Sequence, residues 1–187
     1  MEKQYSIAIY PSESIILLVK AMKEKLFEEV NWFHSKNSIA HITICEFKKT
    51  DAAIEIIKNK LDLLCDTFEP FEVHLKGFGS YSNGAFFITP HEDSKIKLKV
   101  IMKKIHELLR TLKIQKSSDP HISIARRLTP ENLEKANRLF TTINTSFLCN
   151  TIVLRKFDPT IQQFFITNTF TFNSNQKPEL VQGFFIS

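Results

Sequence analysis

Glycine is scarce in this chain, at 4 of 187 residues. Neither G-x-G-x-x-G nor G-x-x-x-x-G-K-[ST] occurs, so the common glycine-rich nucleotide loops are excluded. Cysteine is also rare. Cys45, Cys65 and Cys149 are odd in number, widely spaced and without a C-x-x-C pair. That pattern predicts reduced thiols and a cytoplasmic protein rather than a disulfide framework. No apolar stretch approaches the length of a membrane span, and the start, Met-Glu-Lys-Gln, lacks a signal-peptide apolar region. No polybasic tail is present, and the net charge of +5 is mild. What the chain has in quantity is phenylalanine, 17 residues against one Trp and three Tyr, within a hydrophobic content of 43%. That is ample for the core of one domain.

Periodicity divides the chain into alternating strands and helices. Gln4 to Tyr10 reads as an opening strand ending at Pro11. A helix follows from Ser12 or Ser14 to about Glu29, with Ile15, Leu18, Val19, Met22 and Leu26 at helical spacing. Residues 31–38 are polar and predict a loop, and Ser38 to Phe47 predicts a strand. Thr50-Asp51 opens a helix to about Leu64. Phe71 to Tyr81 and Gly84 to Pro90 read as a hairpin around Asn83-Gly84. A Lys-rich helix spans roughly 92–113, and a strand runs from Asp119 to Arg127. Thr129-Pro130 opens a helix to about Phe140. Strands are expected at Phe147 to Phe157 and Gln162 to Phe172, joined at Asp158-Pro159-Thr160. Residues 173–187 predict a loop followed by an extra strand or a packing tail.

One short word occurs twice. His41-Ile42-Thr43-Ile44 and His121-Ile122-Ser123-Ile124 both read His-Ile-hydroxyl-Ile, and nowhere else does Ser or Thr lie two residues after a His. On a strand, residues i and i+2 share a face. Each word therefore sets an imidazole beside a hydroxyl and turns two isoleucines the other way. Each is also followed by a Thr-started helix and then by strands. The order predicts an α+β domain over 1–187, bilobal and pseudo-twofold, with two antiparallel sheets facing a central cleft and helices outside.

Two imidazoles in one cleft can divide acid and base duties near neutral pH. Thr43 and Ser123 would donate hydrogen bonds to phosphate oxygens as charge develops. Arg126 is a candidate phosphate grip, although its odd offset from His121 points it to the other face of an ideal strand. Arg127 shares the parity of His121 and is its rival. Tyr10, at the end of the first strand, is a weaker substrate-contact candidate. Asp119 shares the face of His121 and is placed to orient it. By parity Glu46 falls on the isoleucine face. A zinc site would need a third ligand that neither word supplies at ligand spacing, so the reading calls for no metal and no cofactor. Phe86 and Phe87 are expected in the core. His34, His74, His91 and His106 are expected to lie outside the catalytic machinery.

These two words, the second with its trailing Ala125-Arg126, resemble the signatures of the two-histidine (2H) phosphoesterase superfamily. The second is closest to the 2′-5′ RNA ligase-like and RNA cyclic phosphodiesterase branch. Phe47 and the opening Ile7-Ala8-Ile9-Tyr10-Pro11 also fit that branch. Ser123 stands where Thr is commoner, and Ile44 and Ile124 where Leu is commoner. The resemblance implies a bilobal α+β fold and catalytic His41, His121, Thr43 and Ser123. It implies metal-independent opening of 2′,3′-cyclic phosphates on RNA ends or small cyclic nucleotides. The alternatives are 2′-5′ RNA joining and a nucleotide-binding module without turnover. A monomer without membrane attachment is the expected state.

Overall fold

The computed structural model describes residues 1–173. The extra strand or packing tail expected at Leu180 to Ile186, with most of the loop before it, lies outside the described residues. Nine strands and four helices follow one another in the described chain. They are β1 (Lys3–Ile9), α1 (Glu13–Val30), β2 (Ile42–Lys49), α2 (Asp51–Cys65), β3 (Phe71–Ser80), β4 (Phe86–Pro90), α3 (Glu92–Leu108), β5 (Ile114–Lys116), β6 (Ile122–Ala125), α4 (Pro130–Leu139), β7 (Thr145–Cys149), β8 (Thr151–Asp158) and β9 (Gln163–Thr171).

The two Thr-started helices are capped as their sequences require. Thr50 accepts from the Ala53 amide and Thr129 from the Asn132 amide, each at 3.3 Å. Pro130 follows at the first helical position, where a missing N–H costs nothing. The helix expected to reach residue 113 ends at Leu108, and the chain then turns into β5, a short strand that periodicity over three residues cannot signal. The strand expected at 147–157 is two strands, broken at Asn150.

The two expected sheets are halves of one continuous antiparallel sheet with the strand order β7-β3-β4-β6-β2-β1-β8-β9; β5 also pairs with β2. Four strands of that order lie on each side of the junction between β6 and β2, with β5 as a ninth on the β2 side. That junction is a single paired position, Ile42 with Ile122, the second residue of each repeated word. β7 and β8 belong to different halves yet are joined through Asn150 alone, so the sheet bends back on itself. Ile42, Ile44, Ile122 and Ile124 have no exposed area and lie in one core with the apolar stripes of the helices. Each such side chain contributes about 1.5–3 kcal/mol by leaving water. The isoleucine face thus holds the halves together, and the histidine face is left to line the cleft.

Candidate active site

The junction determines which side chains meet. One step to either side of Ile42–Ile122, the antiparallel register faces His41 with Ser123 and Thr43 with His121. Each imidazole therefore has its own hydroxyl along the strand and the other word's hydroxyl across the junction. All four residues are partly accessible, while the isoleucines between them are buried.

Both rings are anchored alike. His41 Nδ1 lies 2.6 Å from the Ile39 carbonyl and His121 Nδ1 lies 2.8 Å from the Asp119 carbonyl. A carbonyl only accepts, so both Nδ1 atoms carry hydrogen. In the neutral ring this leaves Nε2 as the free acceptor, which makes it the atom able to take or return a proton.

A second symmetry is not visible in residue spacing. The β1–β2 register skips Ile44, and the β4–β6 register skips Ile124. The last isoleucine of each word is thus the extra residue of a β-bulge, and parity reverses beyond it. In the second half, this reversal brings Arg126 to the face of His121 and Ser123 and turns Arg127 away. In the first half it brings Glu46 to the cleft face, opposite Ser6. That corrects the expectation from unbroken alternation, which put Glu46 among the isoleucines. Glu46 accepts from Gln4 Nε2 at 3.1 Å.

The surroundings of the two imidazoles differ. Burial and the charges of Arg155, Lys23 and Arg126 push His41 down to about 3. Arg155, on β8, is 5% exposed. Its Nη2 donates to Ser6 Oγ at 2.7 Å and its Nε has no partner. Its guanidinium lies over the Phe164 ring, 5.2 Å from the centroid. Lys23 on α1 is 2% exposed and donates to the Ser35 carbonyl at 2.8 Å and the Ser38 carbonyl at 2.6 Å. It ties down the segment that ends in the Ile39 carbonyl under His41. The same segment spans the halves: the Arg126 amide donates to the His34 carbonyl, and Ser35 Oγ donates to the Ile124 carbonyl.

His121 also lies below the ordinary range through burial, but its polar neighbour, Asp119, opposes the shift. The Asp119 carboxylate is 4.0 Å from His121 Nδ1 and accepts from the Tyr81 hydroxyl. Aromatic rings close over His121: Phe87 at 4.5 Å and Tyr81 at 5.9 Å between centroids. Phe86 and Phe87 are both buried as expected, yet Phe87 also forms the wall of this site. Gly79 makes room for it, since a Cβ there would sit 2.5 Å from the Phe87 ring.

Tyr10 follows the Ile9–Ile42 pair, so the register sets it opposite His41. Burial raises its phenol and the Arg155 charge opposes that rise. Arg155 and Lys23 have no place in the sequence analysis, and Phe87 is read there only as core. The signal for Arg155 was present, a lone Arg in the apolar run Thr151-Ile-Val-Leu-Arg155. Lys23 carried no signal, because one lysine on a charged helix looks like its neighbours. No group of three or more His, Cys, Asp or Glu stands together in a metal-holding arrangement among the described residues. No described helix is long and apolar enough to cross a membrane.

No curated protein matches the chain by sequence. Among solved structures it is similar to TT0787 of Thermus thermophilus, at 16% identity and a TM-score of 0.64, covering 91% of this chain and 98% of that one. It is also similar to E. coli LigT in its apo form, at 14% identity and a TM-score of 0.66, covering 91% and 97%. LigT bound to 3′-AMP matches with the same identity and TM-score. At such identities these likenesses establish the fold. The family model of the 2′-5′ RNA ligase superfamily matches residues 11–160. With both histidine words inside that span, the chain belongs to the 2′-5′ RNA ligase superfamily of two-histidine phosphoesterases.

Proposed function

We propose that this protein opens 2′,3′-cyclic phosphates of RNA ends or nucleotides by metal-independent two-histidine catalysis, as a cytoplasmic monomer. The observation that carries the reading is the cross-strand set His41, Thr43, His121 and Ser123, with both Nδ1 atoms engaged on carbonyls. It supplies two proton-transfer atoms and two hydroxyl donors around one point. E. coli LigT has been crystallised with phosphate, 3′-AMP, NADP+ and ATP, ligands that all carry phosphate.

The unequal surroundings support unequal roles. His41, held neutral by burial and three nearby cations, is the base. Its Nε2 takes a proton from water as the water oxygen bonds to phosphorus. His121, with Asp119 favouring its imidazolium, is the acid. It gives a proton to the ribose oxygen as the P–O bond breaks, leaving a phosphomonoester. Thr43, Ser123 and Arg126 hold the non-bridging oxygens, and Arg155 adds positive charge from below. Tyr10 borders the same oxygens beside His41. The incoming phosphate itself raises both imidazoles towards neutral pH, because an anion stabilises the protonated ring.

The test is hydrolysis of 2′,3′-cyclic nucleotides and short RNAs with cyclic phosphate ends, in EDTA, beside His41→Ala and His121→Ala. Turnover that survives chelation and collapses in both variants is expected. Activity indifferent to either histidine would overturn the reading, and tight binding without turnover would replace it with a binding module.

A further inference from the structure

A cavity of about 390 Å³ opens beside the site, lined by His34, Asn83, Ala85, Arg126 and Arg127. None of these residues is acidic. Among the described residues, no ion pair involves His34, Arg126 or Arg127. Two guanidiniums without carboxylate partners border a hollow of small-ligand size, and that chemistry suits an anion.

The walls are held by backbone. Gly84 at the β3–β4 turn has φ +81°, and a Cβ there would sit 2.2 Å from the Leu128 carbonyl oxygen. The Leu128 amide donates to the Gly84 carbonyl at 3.0 Å. Next to Leu128, Arg127 takes φ +57°, a left-handed conformation that disfavours an ordinary side chain. The bulge at Ile124 turns Arg126 to the histidine face, where its charge reaches His41, while both arginines border the cavity.

The third component is Trp32. It is the sole tryptophan of the chain, it is 63% exposed, and its ring meets the His34 ring edge-on at 5.0 Å. Through His34, this large exposed aromatic adjoins a cavity that two arginines line, and such a composition binds single-stranded nucleic acid, phosphate on the cations and base on the ring.

The geometry points to a subsite for the nucleotide that precedes the reacting one, with Arg127 and His34 on its phosphate and Trp32 under its base. Because Arg126 borders both the cavity and the histidine cleft, a group in this cavity is a chain neighbour of the reacting phosphate. The preferred substrate is then an RNA end rather than a cyclic mononucleotide. This rests on the two-histidine reading for the identity of the reacting group, though the subsite can be measured without turnover.

The experiment is equilibrium binding of two product-like ligands that do not react, uridine 3′-monophosphate and the dinucleotide UpUp ending in a 3′-phosphate. Trp32 fluorescence and calorimetry report on each. The dinucleotide is expected to quench Trp32 and to bind roughly tenfold more tightly. Arg127→Asn should collapse that preference, because Asn tolerates the left-handed backbone and removes the guanidinium. Arg127→Lys, which keeps the charge, should restore part of it. Equal affinities in the wild type, failure of both ligands to bind, or an unchanged preference in Arg127→Asn would each overturn the subsite. Absence of cyclic-phosphate turnover in the wild type, with the dinucleotide preference intact, would instead overturn the catalytic reading and leave the subsite standing.

Discussion

The two halves repeat the same word and give its histidines opposite company. His41 looks onto Arg155, Lys23 and Arg126, and burial leaves it strongly disposed to stay neutral. His121 looks onto Asp119, Tyr81 and Phe87, so a carboxylate offsets part of its burial. Even the shared bulge has different consequences, delivering Glu46 in one half and Arg126 in the other. A pseudo-twofold site is therefore symmetric in how it holds its rings and asymmetric in how it charges them. Repetition of a motif specifies geometry, while proton direction depends on what surrounds it.

The largest test of that comparison removes each ring. His41→Ala and His121→Ala should each lower kcat about 10²–10⁴-fold. In the double variant the losses should not multiply, because both groups serve one transition state; steady-state kinetics with a cyclic-phosphate RNA checks this. Next come the hydroxyls. Thr43→Val and Ser123→Ala should each cost on the order of 10²-fold in kcat. Similar losses would mark the phosphate as centred between the halves, and unequal losses would show which half holds it.

The charge asymmetry makes opposite predictions for pH. Arg155 lowers His41, so Arg155→Gln should raise the pKa of His41, the proposed base, and shift the acidic limb of the kcat/KM profile to higher pH. Asp119 raises His121, so Asp119→Asn should lower the pKa of His121, the proposed acid, and shift the basic limb to lower pH. If the limbs move the other way round, the assignment of base and acid is reversed. The smallest effect is expected from Gly79→Ala. The added methyl would displace the Phe87 ring and loosen His121 alone. A several-fold loss in kcat is expected, with the His41 imidazole resonances unmoved in NMR and those of His121 shifted.

Much of the site is legible in the sequence. His41, Thr43, His121 and Ser123 are readable because one-residue alternation is local and the word occurs twice. Both helix starts are readable because Thr50 and Thr129 cap with their own side chains. The cleft face of Glu46 is not, since alternation has no sign of a bulge until a partner strand skips a residue. Arg126 could be named as a phosphate contact, but its odd parity stood against it until the bulge at Ile124 reversed the count. Lys23 and Arg155 lie far from the residues they influence in sequence, so only packing could bring them to His41.

By itself the sequence determined most of the elements, the repeated pair and the family. Those depend on local backbone preference and on which side chains stand next to each other along one strand. The tertiary structure decided that the two sheets are one, that Ile42 meets Ile122, and that each imidazole faces the other word's hydroxyl. It also decided which cations surround His41 and which carboxylate attends His121. Those depend on register and burial. Electrostatic energy is set by distance and dielectric between residues far apart in the chain, and neither exists until the chain has folded.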